Sequence, residues 1–158
     1  MSTESRRLSE LQSLLNREIP LTRHLGLRVE SYDGRCLTLG APLAGNRNHT
    51  DTAFAGSLNA LTTLAGWALV WIILAELNVA GQILIQGSTV SYRRPVTADF
   101  SACCCKPAPA RLATFAATLA KRGKARLELE ATIADRGQEA VHFRGRYAAL
   151  RSPSPTRV

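Results

Sequence analysis

Residues 46–78 read NRNHTDTAFAGSLNALTTLAGWALVWIILAELN, and this stretch decides the fold. It begins as a polar loop, turns a corner at residues 54–57, and carries no charged side chain between Thr52 and Ala75. A run of this length and hydrophobicity either crosses a bilayer or lies buried inside a protein. The sequence on either side of it distinguishes these two possibilities.

The flanking sequence predicts helices and strands in a fixed order. Residues 4–19 have apolar side chains at helical spacing and end at Pro20, whereas residues 27–43 alternate around an Asp33-Gly34 turn. Residues 81–95 and 100–106 are β-type, residues 110–121 are helical with Gly123 as the cap, and residues 126–149 form a second hairpin. The predicted order is helix, two strands, long helix, two strands, short helix, two strands.

Six strands with one apolar face need a large apolar element to cover that face, and the only candidate is the helix predicted over residues 57–77. The run also lacks the Lys and Arg flanks that orient a membrane span. Small residues such as Gly66 would let the sheet approach this helix closely. We therefore predict an α+β fold with the helix buried, in one domain over residues 1–150, and a disordered tail over residues 151–158.

Composition narrows the class of partner. The chain has 158 residues, 46% hydrophobic and 20% charged, and a net charge of +8, so it is globular and its surface is basic. Aromatic residues make up only 6% and do not interleave with a basic cluster, which argues against nucleic acid as the partner. Cys36 and the consecutive Cys103, Cys104 and Cys105 show no metal-ligand spacing. We expect free thiols, no metal site, no signal peptide and a cytoplasmic location.

The chain resembles the hotdog-fold thioesterases, in which an antiparallel sheet wraps around one long helix. The residues that carry the resemblance are NxNxxxTAFAGSLxALxxLAGW, SYRRPV and GKARLELEATI, and they fall within residues 20–150. They are most similar to a thioesterase subfamily that occurs alone or as the C-terminal partner of an acetyltransferase domain. The resemblance implies a homodimer or a dimer of dimers, an acyl-CoA or acyl-carrier substrate, and no cofactor apart from the coenzyme A moiety of that substrate.

The resemblance also places a site at the start of the long helix. Unpaired N–H groups and the helix dipole stabilise the oxyanion that forms on a thioester carbonyl, and Gly56 and Ser57 stand there beside Phe54 and Ala55. Phe54 and Ala55 are expected to contact the substrate. The alternative is that Gly56 and Ser57 only cap the helix.

Water activation has several candidate residues. Asn48 matches the loop Asn of the resembling enzymes, but the acid expected two turns into the helix falls at Thr63, which cannot act as a base at neutral pH. Asp51 either orients water or caps the helix. His49 would suit a dehydratase, yet the required helical carboxylate is absent before Glu76, so a solvated loop histidine is favoured.

The remaining candidates are polar or basic. Gln86 and Ser88 lie on the strand expected beside the helix start, where they hold water or substrate or are only sheet residues. Thr62 and Thr63 are expected to bond back to helix carbonyls. Phosphates of coenzyme A would suit the cations of Arg93, Arg94, Lys121, Arg122 and Lys124, although such a run is often only a solvated surface.

Three functions follow from these residues. The first is a thioesterase, the second a non-catalytic acyl-CoA-binding or regulatory hotdog domain, which the threonine at position 63 favours, and the third a membrane-anchored protein.

Overall fold

A computed structural model of the chain describes residues 3–153, and these residues form four helices and six strands. The elements are α1 Thr3–Glu18, α2 Leu21–Leu25, β1 Arg28–Tyr32, β2 Cys36–Ala41, α3 Ala55–Glu76, β3 Gly81–Tyr92, β4 Phe100–Cys105, α4 Pro109–Arg122, β5 Lys124–Asp135 and β6 Gln138–Arg151. The order predicted from the sequence is confirmed for both hairpins, for the long helix and for α4, which ends at Gly123 in the left-handed conformation (φ 71°).

The six strands form one antiparallel sheet in the order β1-β2-β4-β5-β6-β3. β3 is twelve residues long and pairs only with β6 within the described chain, so its other edge carries unpaired backbone groups. The sheet wraps around α3, which contacts β2, β3, β4, β5 and β6. An antiparallel sheet around one long helix is the hotdog arrangement, and the predicted fold class is confirmed.

α3 is the core helix of this sheet. By length and composition it could cross a membrane, but 67% of its most apolar window is buried by the rest of the chain. Buried residues occur on every side of the helix, from Leu58 in its first turns to Leu74 near its end. The apolar run is therefore explained by burial under the sheet, as the flanking strands predicted.

Close contact between α3 and β6 depends on Gly66. The Tyr147 side chain of β6 is fully buried and donates a hydrogen bond from its hydroxyl to the Thr63 carbonyl oxygen (2.7 Å). A Cβ atom on residue 66 would lie 2.2 Å from that hydroxyl oxygen. Glycine leaves the space that the tyrosine occupies, so its place in the helix reflects packing rather than helix propensity.

Helix α2 does not follow from the sequence pattern. Its five residues make about one turn, which is too short to show helical periodicity. Tertiary bonds hold it: the Thr22 hydroxyl donates to the carbonyl oxygens of Leu15 (3.1 Å) and Ile19 (2.8 Å). Gly26 ends it with φ +68°, a conformation that glycine adopts without strain.

The expectation of four free thiols is wrong for two of the cysteines. Cys36 and Cys105 form a disulfide across 69 residues of sequence, whereas Cys103 and Cys104 are free thiols. The antiparallel register of β2 with β4 places Cys36 directly opposite Cys105, and only the pairing of the two strands could reveal this.

The predicted tail overlaps the end of the sheet. β6 continues to Arg151, one residue into the range expected to be disordered. Ser152 then donates its backbone N–H to the carbonyl of Ala80 (2.9 Å). Residues 154–158 lie outside the described residues, so the rest of that expectation stays a prediction.

Candidate active site at the start of the central helix

The loop before α3 is anchored from both sides. Asn46 is buried, and its side-chain amide donates to the carbonyl oxygens of Leu25 and Pro42, both at 2.8 Å. The backbone carbonyl of Asn46 accepts a hydrogen bond from the N–H of Phe54 (2.7 Å). The N–H of Ala53, the preceding residue, donates to the carbonyl oxygen of Val96 (2.8 Å). These bonds fix where the helix begins relative to the sheet.

Asn48 holds this loop together. Its Oδ1 accepts hydrogen bonds from the backbone N–H and hydroxyl of Thr50 (both 2.9 Å) and from the N–H of Thr52 (3.2 Å). Its Nδ2 donates to the Thr52 hydroxyl (2.9 Å). The acceptor atom is therefore fully used inside the loop, and Asn48 acts on the site by positioning the loop.

Asp51 does not cap the helix, and that alternative is wrong. The residue at the N-cap position is Phe54, and no side-chain cap bond is formed there. Asp51 lies three residues earlier with φ +59°, and its side chain is 86% exposed and 3.7 Å from the Arg47 guanidinium. A short polar residue in a left-handed turn leaves its carboxylate pointing to solvent and available to a ligand. His49 is likewise exposed, as expected.

The first turn of α3 presents two free donors. The N–H groups of Ser57 and Leu58 both donate to the Phe54 carbonyl, at 2.9 and 3.1 Å. The N–H groups of Ala55 and Gly56 have no partner within residues 3–153. The donor pair is thus Ala55 and Gly56 rather than the predicted Gly56 and Ser57, because a tight first turn uses the third N–H internally.

Phe54 and Gly56 fit each other at this corner. A Cβ atom on residue 56 would lie 2.2 Å from Cε1 of the Phe54 ring, so the ring occupies the space that glycine leaves. The Phe54 side chain is 55% exposed although it is large and apolar. An exposed aromatic ring beside two free N–H groups is a surface that an apolar ligand with a carbonyl group can contact.

Tyr92 is a site residue that the sequence analysis missed. It ends β3, and its hydroxyl donates to the Ala55 carbonyl (3.3 Å). Ser88 is four residues earlier on the same strand and therefore faces the same side of the sheet. Gln86 is separated from them: it lies at a bulge in β3, and its Oε1 accepts a bond from the Arg126 Nε (2.7 Å), away from the helix start.

Most of the described domain matches a known protein family. Residues 8–151 match the family described as "Putative thioesterase (yiiD_Cterm)". The chain belongs to this thioesterase family.

Solved structures of similar proteins agree with this assignment. A protein of unknown function from Chlorobaculum tepidum is 33% identical and superposes with a TM-score of 0.91, over 95% of this chain and 98% of that one. A "putative thioesterase" from Shewanella oneidensis is 29% identical with a TM-score of 0.84, over 92% and 99%. A Pseudomonas aeruginosa protein described as a "Probable Thioesterase" is 25% identical with a TM-score of 0.77, over 91% and 95%.

Within this thioesterase fold, the polar residues of α3 have separate roles. Thr62 bonds back to the carbonyls of Leu58 and Asn59 (both 3.0 Å), as expected. The Thr63 carbonyl accepts the Tyr147 hydroxyl, and burial raises the pKa of Tyr147, which keeps that donor protonated. Thr63 itself is half-buried and offers a hydroxyl where resembling enzymes carry an acid.

Asn59 is a second residue that the sequence analysis missed. Its Oδ1 atom is buried and has no hydrogen-bond partner within the described residues. Asn59 precedes Thr63 by four residues, so both side chains lie on one face of α3. An unpaired buried acceptor is costly unless water or a ligand satisfies it, and the signal in the sequence was a single amide within an apolar run.

The predicted cations divide into two groups. Arg93 forms an ion pair with Glu139, and Arg94 donates to the Gln138 side chain, both at the end of β3 that adjoins the start of α3. The other three cations lie near the opposite end of β3. Lys124 pairs with Leu150 of β6, and Leu150 in turn pairs with Gln82 of β3, whereas Lys121 and Arg122 end α4 just before Lys124. β3 spans roughly 35 Å, so within one chain the two groups cannot contact the same phosphate.

Proposed function

We propose that this protein hydrolyses an acyl thioester of coenzyme A or of an acyl carrier, with the carbonyl bound at the start of α3. The observation that carries the proposal is the pair of free N–H groups of Ala55 and Gly56 at an exposed helix N-terminus, in a chain of the thioesterase family. Two such donors and the helix dipole stabilise an oxyanion better than a neutral carbonyl.

The reaction needs a water and a base. In the proposed step Asp51 takes a proton from the water as its oxygen adds to the carbonyl carbon, and the carbonyl oxygen becomes an oxyanion held by Ala55 and Gly56. Collapse of this intermediate breaks the carbon–sulfur bond, and the thiolate takes the proton back from Asp51. Asp51 is chosen because its carboxylate is exposed on the loop that leads into α3, whereas the Thr63 hydroxyl cannot accept a proton at neutral pH.

Asn48 and Asn59 support this step in different ways. Asn48 fixes the loop that carries Asp51. The free Oδ1 of Asn59 would accept a hydrogen bond from an ordered water near Thr63. We assign Tyr92 and Ser88 to contacts with the substrate from the neighbouring strand.

A second copy of the chain is proposed to pair with the free edge of β3. Leu84, Ile85 and Tyr92 are 54%, 39% and 48% exposed on this strand, an unusual amount of apolar surface for a free edge. Antiparallel pairing of β3 with its copy about a twofold axis would cover these side chains and the unpaired backbone groups. It would also bring the end of β3 that lies near Lys124 in one copy close to the Tyr92 end of β3 in the other copy.

The dimer is tested by light scattering after gel filtration. A variant with both Leu84→Lys and Ile85→Lys places charges on the two faces of the strand and should elute as a monomer. The control is Leu21→Lys, since Leu21 is 52% exposed on α2, which leads into β1 at the opposite edge of the sheet from β3. A monomeric wild type, or a double variant with unchanged mass, contradicts the pairing, and a mass of four chains indicates a dimer of dimers.

Substrate and location complete the proposal. Arg93 and Arg94 lie just beyond the Tyr92 end of β3, which adjoins the helix start, and we propose that they exchange their present partners for substrate phosphates. We propose a cytoplasmic location, where coenzyme A esters are substrates, which fractionation of cells expressing the tagged chain would test.

The central experiment measures thiol release from a panel of acyl-CoA esters of increasing chain length. Coenzyme A should be quantified by chromatography, because reagents that detect thiols also react with Cys103. We expect turnover of at least one ester, and Asp51→Asn should lower kcat by about 100-fold or more with little change in KM. Arg47→Gln is the matched control, since it removes the partner of Asp51 and keeps the carboxylate.

The threonine at position 63 favours one alternative, a domain that binds acyl-CoA without hydrolysis. It would be supported by tight binding of a nonhydrolysable thioether analogue, no release of coenzyme A from any ester, and binding unchanged in Asp51→Asn. Turnover that disappears in this variant would exclude it.

A further inference from the structure

Three cysteine sulfurs meet on one face of the sheet, away from the helix start. Cys103 and Cys105 are two residues apart on β4, so their side chains point to the same face, and Cys36 on β2 lies opposite Cys105. The three sulfur atoms all lie within 4.8 Å of one another. Cys104 points the other way into the core, where it is fully buried.

The surroundings of this cluster differ from those of a structural cysteine. All three side chains are half-buried. Cys103 and Cys105 line an open cavity of about 560 Å³ between β4, β5 and the start of α4, together with Lys106 and Arg111. The cluster can therefore be reached from solvent, through a cavity whose lining also includes Arg144 and the carboxylates of Glu128 and Glu130.

We propose that the reduced cluster of Cys36, Cys103 and Cys105 binds one thiophilic metal ion such as Zn²⁺. A zinc–sulfur bond is about 2.3 Å, so sulfurs bound to one zinc ion lie roughly 4 Å apart, which these three reach with small rotations of their side chains. Three thiolates, with no imidazole in the same cluster among residues 3–153, favour a soft ion over Mg²⁺ or Ca²⁺. The fourth position faces the open cavity, where water can occupy it.

The disulfide makes this site dependent on oxidation state. A dithiol reductant transfers two electrons and two protons to the Cys36–Cys105 bond and itself becomes a disulfide, which leaves three thiols. Zinc binding then displaces the thiol protons. In the oxidised chain two of the three ligands are joined to each other, so binding is lost.

The sequence alone argued against a metal because its cysteines show no metal-ligand spacing. The third ligand is Cys36 on the neighbouring strand β2, 69 residues before Cys105 in the sequence. This site is independent of the proposed thioesterase activity, since none of its residues adjoins the start of α3.

The experiment titrates zinc chloride into protein that has been reduced with a phosphine and desalted under argon, with a colorimetric chelator as competitor. We expect one zinc ion per chain in the reduced protein and none in the oxidised protein. Cys36→Ser, Cys103→Ser and Cys105→Ser should each weaken binding by about tenfold or more. Cys104→Ala is the matched control, a cysteine on the same strand that faces the core, and should bind as the wild type does.

Two further measurements keep the outcome clear. Cadmium in place of zinc should give the ultraviolet charge-transfer band of three thiolates per ion, and zinc should protect Cys36, Cys103 and Cys105 of the reduced wild type from iodoacetamide. The labelling needs no variant, so it holds even where a serine variant unfolds. Reduced wild type that binds no better than the triple serine variant, a band of fewer than three thiolates, or unprotected cysteines would overturn the proposal.

Discussion

Replacement of Gly66 by alanine tests how closely α3 approaches the sheet. The added Cβ would lie 2.2 Å from the hydroxyl oxygen of Tyr147, 2.5 Å from its Cζ and 2.6 Å from its Cε2. Carbon atoms in contact are about 3.5–4.0 Å apart, so the ring would have to move by about 1 Å or more. Tyr147 is fully buried in a close-packed core, so its ring can move only if neighbouring side chains or the sheet move with it.

Three contributions set the change in the free energy of unfolding that Gly66→Ala should cause. Overpacking of a tight core costs about 1–3 kcal/mol. Movement of the ring also breaks the bond from the Tyr147 hydroxyl to the Thr63 carbonyl, which costs about 1 kcal/mol. Alanine in place of glycine gains about 1 kcal/mol of helix propensity. We expect Gly66→Ala to lower the free energy of unfolding by about 1–3 kcal/mol.

The assay is urea unfolding followed by circular dichroism, on a double-mutant cycle with Tyr147→Phe. Tyr147→Phe alone should cost about 1 kcal/mol, because only the hydroxyl bond is lost. Added to Gly66→Ala, it should cost much less, since that bond is already broken. Unchanged or increased stability of Gly66→Ala, or strictly additive effects, would refute the close contact as the reason for this glycine.

Three further predictions concern the loop, the pH dependence and the thiols. Asn48→Ala should lower kcat/KM by about tenfold or more, whereas Asn48→Asp keeps the acceptor oxygen and should retain most activity in the same acyl-CoA assay; equal losses would contradict a positioning role. Burial raises the pKa of Tyr32 above its ordinary 10.0. Burial opposes a rise in the pKa of Lys106, but the hydrogen bond to the Glu76 carboxylate at the end of α3 outweighs it, and that pKa lies above 10.5. The stabilisation from both groups is therefore present below pH 10.0 and is lost as pH rises through their folded-state pKa values. Urea unfolding at increasing alkaline pH should show this loss, with a shallower decline in Tyr32→Phe, and an equal slope in that variant would count against the assignment. Burial raises the pKa of Cys104 to about 12, so iodoacetamide at about pH 8 should label Cys103 and leave Cys104 unmodified in mass spectra of the native protein, and rapid labelling of Cys104 would show that it is accessible.

Much of the fold could be predicted because it rests on patterns local to the chain. Alternating residues defined the two hairpins, and Gly123 defined the end of α4. The uninterrupted apolar run defined α3 and, with one-sided strands on both flanks, its burial under a sheet. Helix α2 was missed because its single turn depends on the tertiary bonds of Thr22.

The candidate site was predicted in position but not in detail. The corner at residues 54–57 could be recognised from its motif, yet which N–H groups remain free depends on the tightness of the first turn. Gln86 was grouped with Ser88 because both lie on the strand expected beside the helix start, and a β-bulge at Gln86 separates the two side chains. Tyr92 lies in the SYRRPV motif, but its role at the site could not be predicted, because its contact with Ala55 joins residues 37 positions apart.

The sequence by itself determined an α+β fold with a buried central helix, because hydrophobic periodicity specifies both. Its resemblance to the hotdog thioesterases, carried by local motifs, implied the hotdog fold and a site at the start of that helix. Only the tertiary structure decided three other properties. The side-chain oxygen of Asn48 accepts hydrogen bonds from its own loop, the Oδ1 of Asn59 is a buried acceptor without a partner in the described residues, and Cys36 lies beside Cys105 and Cys103. The physical reason is that these properties depend on strand register and on hydrogen-bond partners, which are distances between atoms of separate segments and leave no periodic trace along the chain.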